Sequence, residues 1–535
     1  MSRTTTEAHL AVARHILRSD FGPITETVCT RLLTHGAATL LDLGRALGLT
    51  PSQVKNALLI LLQQNIVRCT AHFAPPRGAS GPSYQRAPQN YQYDAYLNEI
   101  LVRRWFPRML LHVREQFSSD EERLLQELLT CGQLSTNMMI ERAVNHFAAE
   151  RRLAADDPLI AERQMALMSA LQQLRVGRYI VPTDFLLDGV VEEPAGGAMR
   201  RQMPNEAAIA AAIAAATKSS GGGGAGRKRT HDGNAVADGG QDDEAELLWR
   251  PHVARFQSDF KHLAMRRLVG DKLDSNAEGL LEIMLGQQRS TPGAVEDGLA
   301  AAAMFREPFT ADQLLHQCPV RFSDDGPHIT RPLVLNYLDA MCSDPMIKMA
   351  TTLNGKYMLE LGEIANAVKQ TFIEGIVRHK TGESGCRLYR ILTRMHAHGG
   401  CASRGQQKYE LKQLAEQALL PEKDARPLLW ALLQAGYVLL QEVPRSNDRN
   451  PKTTTYLWHV SLTHAYRTFE EELLETIRRL QRRVDAERAA GAGDNAHATA
   501  GDEQVREAAL ARARIDGLDG AIMRLFDTLL LLRAL

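Results

Sequence analysis

Five cations cluster in the second half of the chain in a pattern suited to binding phosphate. Arg445, Arg449 and Lys452 lie between two strand-like runs, and Lys423 and Arg426 lie on the helix-like run that precedes them. Flexible cations bind phosphate oxygens and release counterions without reading base sequence. The pattern predicts contact with the DNA backbone; a solvated surface loop and a protein contact are the alternatives.

A weaker group of cations lies near the start of the chain. Lys55 is the one cation on the helix-like run over 54–64, Arg68 follows in a strand-like run, and Arg77 and Arg86 lie in a Pro-rich segment. Reading a base sequence in the major groove takes several polar side chains on one helix. We therefore predict that any DNA contact here is independent of sequence.

Neither a metal site nor an import signal is strongly indicated. Cys386, His396, His398 and Cys401 lack the closely spaced Cys pairs of structural zinc sites, so ordinary packing roles are favoured. The run Arg227, Lys228 and Arg229 is a candidate nuclear-import signal, and a solvating linker is an equally good interpretation.

No motif for catalysis stands out. The sequence contains no phosphate loop ending in Lys-Ser or Lys-Thr, and no Gly-x-Ser-x-Gly elbow. The glycines at 221–224 lack a preceding strand, and the carboxylates form no paired motif. We predict that the protein is not an enzyme and needs no cofactor.

Composition limits the remaining classes. The 535 residues correspond to several domains, and Lys+Arg and Asp+Glu both number 63, so any nucleic-acid binding must use local patches. Seven Cys without a framework spacing are typical of a reducing compartment. With no run of 18 apolar residues and no signal peptide, we predict a soluble intracellular protein without a membrane span.

The elements that position these residues repeat along the chain. The segments 43–67 and 411–438 each read as a short helix, a tight turn, a longer helix and a strand. Thr50 is a predicted cap followed by Pro51, and Asn65 and Gly436 end the two longer helices. This order is the helix-turn-helix core of a winged helix, and weaker versions lie at 97–182 and 249–361.

These elements predict a mainly α chain with small β-wings: four tandem extended winged-helix domains and a C-terminal antiparallel coiled-coil hairpin. The hairpin is predicted from heptad seams, whose partner-docking candidates are Leu473, Ile477, Leu480, Leu525, Leu529 and Leu532. Packing on its own body is the alternative role for those residues. The predicted boundaries are 1–96, 97–191, 247–362, 363–466 and 467–535, with a disordered linker at 192–246.

This arrangement resembles the winged-helix subunit of RNA polymerase III, which is itself similar to the large subunit of general transcription factor E. The most specific resemblance runs over 420–426, 429–432, 436–438, 441–445, 448–451 and 455–460. Residues 21–22, 28–33 and 58–67 also resemble the start of that family.

The resemblance implies a non-catalytic nuclear subunit. Such subunits join two smaller polymerase-specific subunits in a heterotrimer on the clamp of the largest subunit. The trimer is implied to recruit the promoter-bound initiation factor and to hold melted promoter DNA during transcription of transfer RNA, 5S RNA and other small RNAs. A free winged-helix transcription regulator and a pure scaffold subunit are the alternatives.

Overall fold

The computed structural model is mainly helical with small antiparallel sheets. It describes residues 6–72, 90–151, 158–183, 247–289, 308–319, 328–344, 347–397, 408–444, 454–494 and 502–535. The chain divides into two compact units, Met1–Phe256 and Gln257–Leu535, which we describe in turn.

The first unit contains nine helices followed along the chain by the start of a tenth, and two sheets, among the residues described. Its elements are α1 (Glu7–Phe21), α2 (Pro23–His35), α3 (Leu40–Leu47), α4 (Pro51–Gln63), β1 (Val67–His72), β2 (Asn90–Ala95), α5 (Leu97–Val102), α6 (Phe106–Gln116), α7 (Ser119–Cys131), β3 (Leu134–Ser135), α8 (Thr136–Arg151), α9 (Pro158–Val176), β4 (Ile180–Pro182) and β5 (Leu248–Pro251).

Local signals in the sequence set several of these boundaries. Thr50 accepts a hydrogen bond from the Gln53 amide at 3.4 Å, which confirms the predicted cap of α4. Residues 97–116 form two helices, α5 and α6, which are separated by a 3-10 turn, Arg103–Trp105. Pro107 lacks the N–H that would bond to the Arg103 carbonyl, so a regular α-helix cannot continue through this point.

The second sheet differs from the predicted domain boundary. It has the strand order β3-β5-β4, and β5 pairs antiparallel with β4 in the register Ile180↔Pro251 and Pro182↔Trp249. The residues from 247 onward, predicted to open a third domain, therefore begin with a strand that belongs to the sheet of the preceding helices α7–α9. The predicted linker 192–246 lies between two adjacent strands of one sheet, and its residues lie outside those described.

The second unit begins within the helix α10 (Val253–Lys272). Its further elements are α11 (Ser275–Arg289), α12 (Ala311–Gln317), α13 (Arg331–Ser343), β6 (Ala350–Leu353), β7 (Lys356–Leu359), α14 (Leu361–Ala397), α15 (Leu411–Ala418), α16 (Glu422–Gln434), β8 (Leu439–Pro444), β9 (Thr454–His459), α17 (Leu462–Asp494) and α18 (Asp502–Ala534). Asn354 and Gly355 both have positive φ between β6 and β7, as expected for an Asn-Gly pair in a two-residue hairpin turn.

One pairing pattern recurs four times in the described part of the chain. A residue just before a helix pairs with the last strand of the sheet that follows that helix along the chain; the helix is short in three of the four cases, whereas α8 has 16 residues. The bridging pairs are Ala38↔Tyr93, Leu134↔Trp249, Phe309↔Tyr357 and Tyr409↔Trp458. The bridge ties each helical group to its own ribbon.

The last two helices, α17 and α18, run antiparallel against each other. Arg488 binds Asp519 at 2.9 Å, and Arg533 binds Glu470 at 2.6 Å. The order of these pairs along the two helices requires opposite directions. None of the described helices combines the length and apolarity that a membrane crossing requires.

A set of polar contacts, which we call the clasp, joins residues 63–65 at the end of α4 to residues 130–133 at the end of α7. Gln63 Nε2 donates to the Gln133 carbonyl at 2.6 Å, and Gln133 Nε2 donates to Asn65 Oδ1 at 2.6 Å. The side-chain amides of Gln64 and Asn65 donate to the backbone carbonyls of Thr130 and Gly132, respectively. The clasp holds the first two helical groups in one arrangement.

Gly132 allows the close approach in the clasp. A Cβ added there would overlap the Gln63 carbonyl oxygen and lie 2.8 Å from Gln64 Cα, at a φ of +84°. We expect Gly132→Ala to lower the free energy of opening of this region by about 2–4 kcal/mol, through the clash and the left-handed strain together. Hydrogen exchange of the α4 and α7 amides measures the change.

Gly48→Ala is the control, because Gly48 adopts the left-handed conformation (φ 65°, ψ 26°) and has nothing within 4 Å of an added Cβ. It should cost only about 1–2 kcal/mol, the strain alone. Equal losses in the two variants would contradict a tight contact at Gly132.

Candidate nucleic-acid and partner interfaces

Three of the longer helices end in the same backbone turn. Asn65, Arg178 and Gly436 all have positive φ, at 60°, 57° and 78°. In each case the next residue donates its amide proton back into the helix, five residues before it, at 3.0 Å: Ile66 to Leu61, Tyr179 to Leu174, and Tyr437 to Leu432. The helices α4, α9 and α16 therefore share one frame, and their residues can be compared by counting back from the turn.

Counting back thirteen, ten and six residues from each turn gives three exposed positions on one helix face. These spacings of three and four place the side chains in a single row, which we call the outer row. The outer rows are Ser52, Lys55 and Leu59 on α4; Met165, Met168 and Gln172 on α9; and Lys423, Arg426 and Trp430 on α16.

The outer row of α16 contains two of the predicted DNA-contact residues. Lys423 and Arg426 are exposed, and neither forms an ion pair with another described residue. Trp430 was not among the predicted site residues, although it lies four residues beyond Arg426. Its side chain is 47% exposed and meets the buried Trp458 nearly perpendicularly, with ring centroids 5.9 Å apart. This face can hold phosphate and offers an aromatic surface.

The outer row of α9 is apolar. Met165 and Met168 are 74% and 50% exposed. Both arginines of the helix are engaged: Arg163 binds Asp120 through both terminal nitrogens, and Arg175 donates to Thr136 and lies over the Trp249 ring at 4.4 Å. A helix face without available cations is unsuited to phosphate, and exposed methionines are typical of protein contacts.

The first helical group offers one cation on its recognition helix, α4. Lys55 is exposed and forms no ion pair among the described residues. Arg68, the other described candidate there, is half-buried, with its guanidinium 4.6 Å from the centroid of Tyr96. Burial raises the pKa of the neighbouring Glu99, and Arg68 and Arg250 pull that pKa back down. Arg68 therefore stabilises a half-buried carboxylate within the fold.

Several predicted site residues lie outside the described part of the chain: Arg77, Arg86, Arg227, Lys228, Arg229, His398, Cys401, Arg445, Arg449 and Lys452. The strands on either side of 445–453 are described, and β8 pairs with β9 up to Pro444↔Thr454. Arg445, Arg449 and Lys452 therefore belong to the segment that joins two paired strands, as the sequence indicated.

Cys386, one of the four residues considered for zinc, is a packed thiol. The non-helical Gly382 (φ 73°) divides α14 into two helical segments, and Cys386 is buried in the second of them. Its Sγ lies 3.8 Å from the Glu374 carbonyl oxygen, and burial raises the pKa of its thiol. A raised thiol pKa disfavours the thiolate that zinc binds. Within the described residues, no three His, Cys, Asp or Glu side chains form a group that could hold a metal ion.

The predicted partner-docking residues of the last two helices are mostly covered by the chain itself. Leu473, Ile477, Leu529 and Leu532 are at most 5% exposed, and Leu480 and Leu525 are half-buried. Packing within the chain itself therefore explains the apolar seams, and no partner protein is needed to account for them. Docking at these positions stays a prediction, and it depends on Leu480 and Leu525.

Comparison with known proteins agrees with this architecture. A family model described as the POLR3C C-terminal winged-helix domain matches residues 373–460, and the RNA polymerase III subunit RPC82 helix-turn-helix domain matches residues 11–71. DNA-directed RNA polymerase III subunit RPC3 of Danio rerio is 25% identical over 495 residues, covering 86% of this chain and 83% of the relative. The chain is RPC3-like.

Two further RPC3 proteins match the chain over different lengths. The Homo sapiens subunit is 22% identical over 493 residues, covering 89% of this chain and 83% of the relative. The Dictyostelium discoideum subunit is 26% identical over 255 residues, 46% of this chain and 36% of the relative. These matches confirm the family resemblance inferred from the sequence.

The role of Arg68 can be separated from DNA binding by its dependence on Glu99. Because the folded state raises the pKa of Glu99, the ionised carboxylate costs stability above the ordinary Glu pKa, and Arg68 reduces that cost. We expect Arg68→Gln to weaken protection of the β1 and α5 amides by about 1 kcal/mol at neutral pH. The loss should shrink below the ordinary Glu pKa, where Glu99 is protonated.

Hydrogen exchange at neutral and acidic pH measures this effect, and Glu99→Gln is the control background. In that background the cost of Arg68→Gln should fall to the contribution of stacking on Tyr96, about 0.5 kcal/mol. A cost that does not change with pH or with Glu99 would show that Arg68 acts through other contacts.

Proposed function

We propose that this chain is a non-catalytic subunit of RNA polymerase III. The observation that carries the proposal is similarity to RPC3 subunits along 86–89% of the chain, in three vertebrate relatives that it covers to 83–84% of their length. Family models for winged-helix and helix-turn-helix domains match near both ends of that span. The function is carried by docking surfaces, without a reaction centre.

The architecture we infer is four tandem extended winged helices followed by an antiparallel coiled-coil hairpin. The fourfold recurrence of a pairing between the residue before a helix and the sheet that follows supports the four domains. The ion pairs between α17 and α18 support the hairpin. We place the end of the second domain after β5 at Pro251, because this strand lies in that domain's sheet.

The proposed partners are the two smaller subunits of an initiation heterotrimer, the clamp of the largest polymerase subunit, the initiation factor and promoter DNA. We propose that the assembly acts in the nucleus and assists promoter opening. DNA contact is assigned, independent of sequence, to Lys55, Lys423 and Arg426, and to Arg77, Arg86, Arg445, Arg449 and Lys452 of the two wing segments. The run Arg227, Lys228 and Arg229 is assigned to nuclear import.

Two other functions fit the exposed faces of these helices less well. A free regulator that reads promoters needs several base-reading side chains on a helix. The outer row of α4 provides one available cation, and the outer row of α9 provides none. A pure scaffold fits the exposed methionines of α9, yet leaves the unpaired cations of α16 unused. We therefore favour a subunit that combines protein docking with DNA contact.

Affinity purification of the tagged chain from its own cells tests the assignment. The catalytic subunits of RNA polymerase III should co-purify in comparable amounts and survive a wash at moderate salt. Purification of the chain without any polymerase subunit would overturn the proposal. Recovery of the polymerase core together with two small subunits would support the heterotrimer.

Neutralising the cations of α16 tests DNA contact within the assembled enzyme. We expect Lys423→Gln with Arg426→Gln to leave co-purification intact and to reduce promoter-dependent initiation severalfold. The salt dependence of DNA binding should also weaken, because each lost phosphate contact lowers the slope of log K against log salt by about 0.7–0.9.

The matched control neutralises Arg14 and Arg18, two exposed cations on α1 that lie outside the recognition helices. This pair should leave initiation and the salt slope unchanged. Equal effects of the two double variants would mean that only the net charge of the protein matters.

A further inference from the structure

The three outer rows differ in chemistry although their frames are the same. Only the row on α16 combines cations with an aromatic ring; the position of Trp430 is occupied by Leu59 on α4 and by Gln172 on α9. The chain contains four Trp, and the other three, Trp105, Trp249 and Trp458, are at most 4% exposed. Among the three outer rows, only that of α16 therefore carries an exposed Trp.

The ring of Trp430 is fixed in place by its neighbours. Its perpendicular contact is with Trp458, which is buried and paired through the backbone with Leu440 and Tyr409. The two indole rings are thereby held together where α16 meets the ribbon of β8 and β9. A fixed ring loses little conformational entropy when a ligand stacks on it, and this favours binding.

Electrostatic attraction alone is weak at this surface. Glu422 and Asp424 are exposed on the same first turn as Lys423, with Arg426 just beyond, so the local charges nearly balance. A groove that holds duplex DNA through its phosphates alone needs a net excess of cations. The aromatic ring must therefore supply a large share of any affinity for nucleic acid here.

Stacking on a base requires that the base be unpaired and unstacked. The faces of bases in a duplex are covered by their neighbours, whereas a single strand can place a base against an aromatic side chain. From Lys423 to Trp430 the helix rises about 10 Å, the length of roughly three stacked nucleotides. One ring and two cations on this row can thus engage a base and the phosphates beside it.

We propose that Trp430 stacks on an unpaired base of a single nucleic-acid strand, while Lys423 and Arg426 bind the neighbouring phosphates. The inference rests on the proposed function, in which α16 faces promoter DNA, and it adds that this face selects single strands over duplex. The same residue types also anchor protein interfaces, so a protein partner is the competing occupant that the experiment must separate.

The test measures intrinsic fluorescence of the full-length chain during titration with a short oligo(dT) strand and with a duplex of the same length. Because Trp430 is the exposed indole, stacking should quench the wild-type signal with the strand and leave it nearly unchanged with the duplex. Trp430→Leu, which introduces the residue found at the equivalent position of α4, should abolish the quenching and weaken strand binding about tenfold. Trp430→Phe should recover part of that affinity, since it retains a ring.

Leu59→Ala is the control at the equivalent exposed position and should leave binding of both probes unchanged. Circular dichroism of each variant verifies that the helices are intact. If Trp430→Leu leaves strand affinity unchanged while Lys423→Gln with Arg426→Gln weakens it, the stacking role is wrong and the proposed DNA face stands. If the double neutralisation also has no effect, the DNA face itself fails.

A protein-docking role gives a different result. In that case Trp430→Leu would release a polymerase subunit in affinity purification without changing the binding of either probe. That outcome would overturn the stacking proposal. Equal loss of affinity for strand and duplex would also overturn it, because a duplex offers no free base face to the ring.

Discussion

The left-handed turn at the end of a recognition helix is the constraint on which the surface of this protein depends. It reverses the chain from helix to ribbon within one residue, and the following amide bonds back into the helix at 3.0 Å in all three cases. With the helix end fixed to its ribbon, the face that packs inward is fixed as well. The outer row must then point away from the core, whatever residues occupy it. Gly436 meets this requirement most easily, Asn65 less easily and Arg178 least, since the left-handed region is most accessible to glycine and, after it, to asparagine.

The shared frame lets one fold serve different partners. On α4, the residues just before the turn are used by the clasp, where Gln63, Gln64 and Asn65 donate to carbonyls at the end of α7. On α9, the arginines are held inside the domain, and methionines remain outside. On α16, the turn is supported from the next helix, where Tyr437 donates to Glu472 at 2.6 Å and Lys380 binds the same carboxylate. In each case these contacts use residues outside the outer row, so the outer row stays available for its own chemistry.

The sequence was informative wherever structure depends on neighbouring residues. The cap at Thr50, the turn at Asn354 and Gly355, and the cations at 423 and 426 were all visible as short patterns. Features that depend on distant residues were not. The pairing of β4 with β5 crosses residues 183–247, and neither strand carries a signal for the other. Arg68 appears free in the sequence, but Tyr96 and Glu99 engage it. Trp430 reads as a core residue, and only the course of the helix places it outside.

The long insertion in the second sheet costs less than its length suggests. For a flexible loop, each doubling of length adds only about 0.6 kcal/mol of closure entropy. β4 and β5 are separated along the chain by about two doublings more residues than β1 and β2, which corresponds by this relation to about 1 kcal/mol. Trp249 offsets a cost of this size, because its side chain is 4% exposed, its indole nitrogen donates to Thr136 at 3.1 Å, and Arg175 lies over its ring. Burial of one large side chain contributes about 2–3 kcal/mol. The returning strand β5 is therefore held in the sheet by its own tryptophan.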